Sequence, residues 1–209
     1  MARPSNSAQR RGEITRALVK VMATRGYDGA SVADIARAAR LTPGLVHYHF
    51  ENKQEVLLAA LRDLAQRHEQ HLERRLAGAD GDPRAELVAF VDFHLGLGAD
   101  ADPEALACWI LLSGEALRQP KVQAEYERTL AAAAARLETI VERGLERKLF
   151  RRGASKTVAS ALIATIQGYF VLAATARSLI PSGSAAAAVK SMADGLLDPA
   201  SPLAPEVSR

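Results

Sequence analysis

A single cysteine, Cys108, stands in the 209-residue chain, so no disulfide can form within it. Aromatic residues supply only 5% of positions against 48% hydrophobic residues, and the apolar share is rich in alanine and leucine, a mixture that favours helices over sheets. No uninterrupted apolar stretch reaches the length of a bilayer span, and the opening MARPSNSAQRR has no apolar core of a secretory signal. A soluble, cytoplasmic protein with no membrane partner is the expectation. Catalytic signatures are missing as well: there is no Gly-rich phosphate loop, no G-x-S-x-G and no H-E-x-x-H, and Cys108 sits in an apolar run where a thiol is usually inert. The chain is therefore expected to be no enzyme, with no catalytic residues and no cofactor. Of five histidines, His47 and His49 point about 200° apart on a helix and cannot share an ion. His68 and His71 share a face, but Glu69 and Glu73 are the only added ligands near them, and no metal site is expected.

Charge is present but unevenly placed. Residues 1–53 carry nine Lys/Arg against four Asp/Glu, whereas the remainder is slightly acidic; the formal net charge is +3. A basic N-terminal quarter suits a polyanionic partner, whose binding would release counterions and weaken steeply with salt.

The most informative stretch is SVADIARAARLTPGLVHYHFENK, residues 31–53. Ser31 and Asp34 form an [ST]-x-x-[DE] capping box, and Val32, Ile35, Ala36 and Ala39 follow at helical spacing. Thr42 can cap a second helix, with Pro43 in the first helical position where its missing N–H costs nothing; Asn52 caps a third. On the second helix Val46 and Phe50 fall on one side, and Gly44, His47 and Tyr48 on the other or its flank. A short helix held by its neighbours, presenting small and hydrogen-bonding groups from its first two turns, is the arrangement that enters a DNA major groove.

The run from Ile14 through Gly26-Tyr27, Ser31, Ile35, Ala36, Gly44, His49-Phe50 and Lys53 to Leu57 resembles the N-terminal domain of the TetR family of transcriptional regulators, over roughly residues 8 to 57. The resemblance implies that Thr42 and Lys53 bind phosphate, and that Pro43, Gly44, Leu45, His47, Tyr48 and His49 form the surface meeting bases and backbone, with Ser31 at the neighbouring helix start. His47 departs from the tyrosine common in the family and opens the way to a pH-sensitive contact. Farther on, LACWILLSGEALRQP, residues 106–120, resembles the subgroup containing the choline-responsive regulator BetI.

The remaining pattern is helical throughout. Ile14, Ala17, Leu18, Val21 and Met22 form a one-sided stripe that Gly26 ends. In front of it, Arg3, Arg10 and Arg11 are placed to follow the phosphate backbone or reach a minor groove. From Lys53 to Leu76 an unbroken helical pattern predicts a rod of roughly 35 Å, a mechanical link between the two halves. Asp82-Pro83 and Asp102-Pro103 each restart a helix; the helix after the second is apolar almost all round. A helix over 121–148 follows, then Ser155–Ile180 and Ser184–Leu197, and a proline-rich tail expected to lack structure.

The predicted fold class is all-α, about nine helices: a helix-turn-helix domain over 1–53 with an N-terminal arm, an effector-binding and dimerisation domain over 54–198, and a disordered tail over 199–209. Phe90, His94, Trp109, Leu112, Tyr126, Gln167 and Phe170 are the residues expected around an effector cavity. The small residues Ala161, Ala164 and Gly168, with Val189 and Met192, suit a close helix-helix interface, either inside the protein or between two copies, and the TetR resemblance implies a homodimer through the last two helices. Together these readings predict a ligand-responsive repressor that binds a palindromic double-stranded operator as a homodimer and is released by a small-molecule effector. An activator of the same fold, or a helical ligand-binding or scaffold protein that does not read DNA, would share most of these features.

Overall fold

The structure is a computed structural model, and it describes residues 6–96 and 103–203. Arg3, at the start of the expected arm, and residues 204–209 lie outside the described residues. The elements are α1 (Asn6–Arg25), α2 (Val32–Ala39), α3 (Pro43–His49), α4 (Lys53–Ala77), α5 (Pro83–Leu95), α6 (Pro103–Ala116), α7 (Pro120–Glu146), α8 (Ser155–Thr175), a single 3-10 turn (Arg177–Leu179) and α9 (Ser184–Leu197). Among the described residues the β content is one antiparallel bridge, Phe150 with Pro199, so the molecule is all-α as its composition predicts.

Packing divides the chain into two units, one of residues up to His68 with Pro103–Arg128, the other of Glu69–Asp102 with Thr129–Arg209. These units cut across the division at Lys53, because α4 and α7 each begin in the first and end in the second. In the first unit Ile14 and Leu18 of α1, Ile35 of α2, Val46 of α3 and Leu57 and Leu61 of α4 share a core with Cys108 and Leu112 of α6. Within it the carboxylate of Glu125 on α7, 9% exposed, pairs with Arg62 of α4 at 2.9 Å and Arg128 at 3.0 Å. In the second unit Leu72, Leu87, Phe90, Leu137, Ile140, Phe150, Leu162 and Leu197 form the core. Arg143 of α7 pairs there with Glu86 of α5, and Lys190 of α9 with Asp92 at 2.8 Å.

Three expectations are corrected. The helix from Ser155 stops at Thr175 rather than Ile180. Pro181 disfavours helical geometry at the residue before it, and the break lets Ile180 turn inward to 5% exposure. The tail is packed as far as Leu203: Ala200 N–H donates to Leu149 O at 3.2 Å, Leu203 N–H to an Asp194 carboxylate oxygen at 2.8 Å, and the Leu203 side chain is buried. Prolines there stop a helix without preventing the bent segment from packing as a strap. Finally, α8 is long and apolar enough to cross a membrane by length and composition, with a mean hydropathy of 1.6, although Thr157, Ser160, Thr165 and Gln167 interrupt its apolar run. Only 22% of that window is buried within the chain.

Candidate nucleic-acid interface

The reading head is built by capping chemistry. Ser31 Oγ accepts the Asp34 N–H at 3.1 Å, while the Asp34 carboxylate accepts the Ser31 N–H at 3.3 Å, which completes the capping box at the start of α2. The Ser31 hydroxyl foremost, and its backbone N–H next, hold the Asp34 carboxyl below its ordinary range. Asp34 also pairs with Arg25 at 3.0 Å and Arg37 at 2.9 Å. The chain leaves α2 through Arg40 in the left-handed region, φ 57°, and Leu41 N–H returns to Ala36 O at 2.9 Å. That tight reversal aims α3. Thr42 Oγ1 then accepts Leu45 N–H at 3.3 Å, and Pro43 opens the helix.

Burial sorts the residues of α3. Val46 and Phe50 are 1% and 2% exposed and anchor the helix to the core. Thr42, Pro43, Gly44, His47 and Tyr48 are exposed, and Tyr48 stands 80% free. Leu45 and His49 are half-buried, the His49 ring meeting Tyr48 edge-on at 5.1 Å between centroids. Around the ideal Cβ position of Gly44 no atom lies within 4 Å, so the free protein leaves this face open. Ser31 is exposed, with its hydroxyl committed to the cap. Lys53 has internal partners: its ammonium donates to Tyr27 O at 2.8 Å and lies 4.2 Å from the Tyr27 ring centroid. Arg11 was expected on DNA phosphate, yet its guanidinium is turned inward against Phe50. The sequence reading missed that role, since the partner is remote in the chain.

The seven residues expected around an effector fall into two groups. Leu112 belongs to the first unit's core, beside Trp109 and Tyr126, whose rings lie 4.7 Å apart. Burial pushes the Tyr126 phenol up, opposed by its bonds to Ser113 and Trp109. Phe90 and His94 belong to the second, stacked at 4.3 Å with His94 Nδ1 donating to Phe90 O at 2.8 Å; the Phe170 ring stacks beyond at 6.4 Å. Gln167 is half-buried on α8. A groove of 530 Å³ in the second unit is lined by Leu76, Ile140, Glu69, Glu86, Arg136 and Arg143 among others, and by none of the seven. Helical periodicity identified inward-facing positions without identifying which helices enclose space.

Of the residues expected to join two copies, Ala164 and Gly168 are exposed, Ala161 is half-buried and Met192 is 48% exposed. Val189 is corrected: it is fully buried in the second unit's core and faces no outside surface. Val171 at 47%, Leu172 at 37% and Leu196 at 39% extend the exposed apolar face of α8 and α9. Among the described residues no cluster of three or more His, Cys, Asp or Glu is placed to hold a metal ion.

A capped two-helix turn whose second helix bares its outer face defines a helix-turn-helix transcriptional regulator. Comparison with known proteins agrees. Residues 14–60 match the bacterial regulatory proteins of the tetR family, and residues 83–198 match the BetI-type transcriptional repressor C-terminal family. The chain belongs to the TetR family of bacterial transcriptional regulators, with a C-terminal region of BetI type. It is 28% identical over 181 residues to the HTH-type transcriptional regulator BetI of Brucella anthropi, 87% of this chain and 90% of that protein. To the regulator of the same name from Stenotrophomonas maltophilia it is 30% identical over 113 residues, 54% of this chain and 57% of that one. Its fold matches a transcriptional regulator from Saccharomonospora viridis solved in complex with choline, with a TM-score of 0.79 at 21% identity, covering 91% of this chain and 98% of that one.

Proposed function

We propose that this regulator represses transcription as a homodimer on an inverted-repeat operator and is released by a small-molecule effector. The observation that carries the reading is the sorting of α3: Val46 and Phe50 anchored, Thr42, Pro43, Gly44, His47 and Tyr48 open. Thr42 and Lys53 contact phosphate, and Gly44, His47 and Tyr48, with Leu45 and His49 on the flanks, meet the base edges. Lys53 keeps N–H groups to spare beyond the one given to Tyr27. Two copies join through the apolar outer face of α8 and α9, which a soluble monomer rarely leaves bare. Their reading helices then address half-sites about one helical turn apart, roughly 34 to 36 Å.

The BetI-type match over residues 83–198 and the choline complex of the Saccharomonospora viridis protein make choline the first effector to test. Trp109 and Tyr126 supply π faces that attract a quaternary ammonium. Because α4 is continuous from Lys53 to Ala77, a change in its tilt changes the presentation of α3. Transcription in vitro from a promoter carrying an enriched binding sequence provides the test. Added protein lowers the transcript and effector restores it; a rise on adding protein identifies an activator, and no change at any concentration refutes regulation through this sequence.

A further inference from the structure

We propose that Arg11 is a positioning residue for DNA reading, a clasp that fixes the end of α3 where it turns into α4; the proposal rests on α3 being the reading helix. With seven residues, α3 is too short to be stable alone, and its last carbonyls have no partners within the helix. Arg11, on α1, reaches this end from 38 residues away. Its Nη1 donates to the His49 carbonyl, and its guanidinium carbon lies 4.0 Å from the Phe50 ring centroid. Nη2 faces the Glu55 carboxylate at 3.4 Å, and the other oxygen of that carboxylate accepts the Glu51 N–H at 2.8 Å. Arg11 and Glu55 together therefore hold His49, the last residue of α3, and Phe50 and Glu51, the first two of the three residues that link it to α4.

The chemistry requires an arginine. A planar fork can donate from two nitrogens in its edge while its face covers an aromatic ring, whereas a lysine ammonium offers a single point charge. The Phe50 ring beneath is 2% exposed, so the side of the guanidinium that lies over it is shielded from water. Held this way, Arg11 sets the direction in which Gly44, His47 and Tyr48 point. It is not one of the cations that neutralise phosphate.

Titration of Arg11→Ala and Arg11→Lys against two duplexes, one enriched from a random-sequence pool by the unaltered protein and one scrambled to the same length, separates the roles. Both variants are expected to lose about tenfold affinity for the enriched duplex, the scale of one base contact, and to keep the unaltered affinity and salt slope on the scrambled one. A fall on both duplexes, with the log-log salt slope shallower by about 0.9 and restored in Arg11→Lys, would make Arg11 a phosphate contact and overturn the proposal. Amide exchange at Phe50 to Asn52 in the absence of DNA tests the clasp independently of the reading assignment. Exchange is expected to accelerate in Arg11→Ala while α2 stays protected; unchanged exchange overturns the clasp. Failure of the unaltered protein to enrich any sequence, with exchange accelerated as expected, would instead count against α3 as a reading helix.

Discussion

Gly44 is the residue at which folding and function separate most cleanly. A side chain there meets nothing in the free protein, and alanine stiffens the unfolded chain, so Gly44→Ala is expected to melt no lower than the unaltered protein. If α3 is the reading helix as proposed, the added methyl would stand between the helix backbone and the groove. The predicted result is unchanged or higher Tm with about tenfold weaker binding to an enriched duplex, read by calorimetry and fluorescence anisotropy. Full affinity would show that the backbone at Gly44 makes no close approach. The Thr42 cap, Pro43 at the helix start and the open side at Gly44 were legible in the sequence because caps and helix faces are local. Arg11 and Lys53 were harder to read: both looked like free cations, and their partners, Phe50 and Tyr27, are 39 and 26 residues away in the chain. Charge pattern reveals how many cations a segment has and not which are already engaged.

At the scale of elements, the end of α7 carries a sharper constraint than its propensities imply. Leu149 and Phe150 N–H groups both return to Gly144 O, at 2.9 and 3.1 Å, which folds the Phe150 ring back over the helix. A Cβ on Gly144 would lie 2.1 Å from two Phe150 ring carbons. Helix propensity alone predicts that Gly144→Ala stabilises α7; overpacking predicts the reverse. Because Phe150 is fully buried and cannot retreat, overpacking wins, and a loss of about 1 to 3 kcal/mol is expected, read as a drop of several degrees in Tm. A stability equal to or above that of the unaltered protein would contradict this packing. Helix positions were largely visible in the sequence, since Ser31, Thr42 and Asp82 caps and Gly26 punctuate it. The strap from Pro199 to Leu203 was not, because its hold comes from Asp194 and Leu149, contacts that no periodic pattern announces.

For the whole molecule the question is what covers the outer face of α8 and α9. Small residues in the sequence pointed to these helices, but Val189 went to the chain's own core while Val171 and Leu196 were left outside, because small apolar residues lie on more than one side of each helix and their spacing does not say which side turns inward. The double variant Val171→Glu, Met192→Glu removes nothing from the core of a single chain. It is therefore expected to stay folded and to sediment as a monomer where the unaltered protein sediments as a dimer. A dimer that persists would place the interface elsewhere. The monomeric variant is also expected to lose the preference for paired half-sites over a single one.

The central claim is that the open face of α3 reads DNA sequence, and enrichment from a random-sequence duplex pool, followed by titration of the product across salt, tests it most directly. The expected product is an inverted repeat with half-sites about one helical turn apart, bound with an affinity that falls steeply and log-linearly as salt rises. A pool that stays random, bound with a flat salt response, would contradict it.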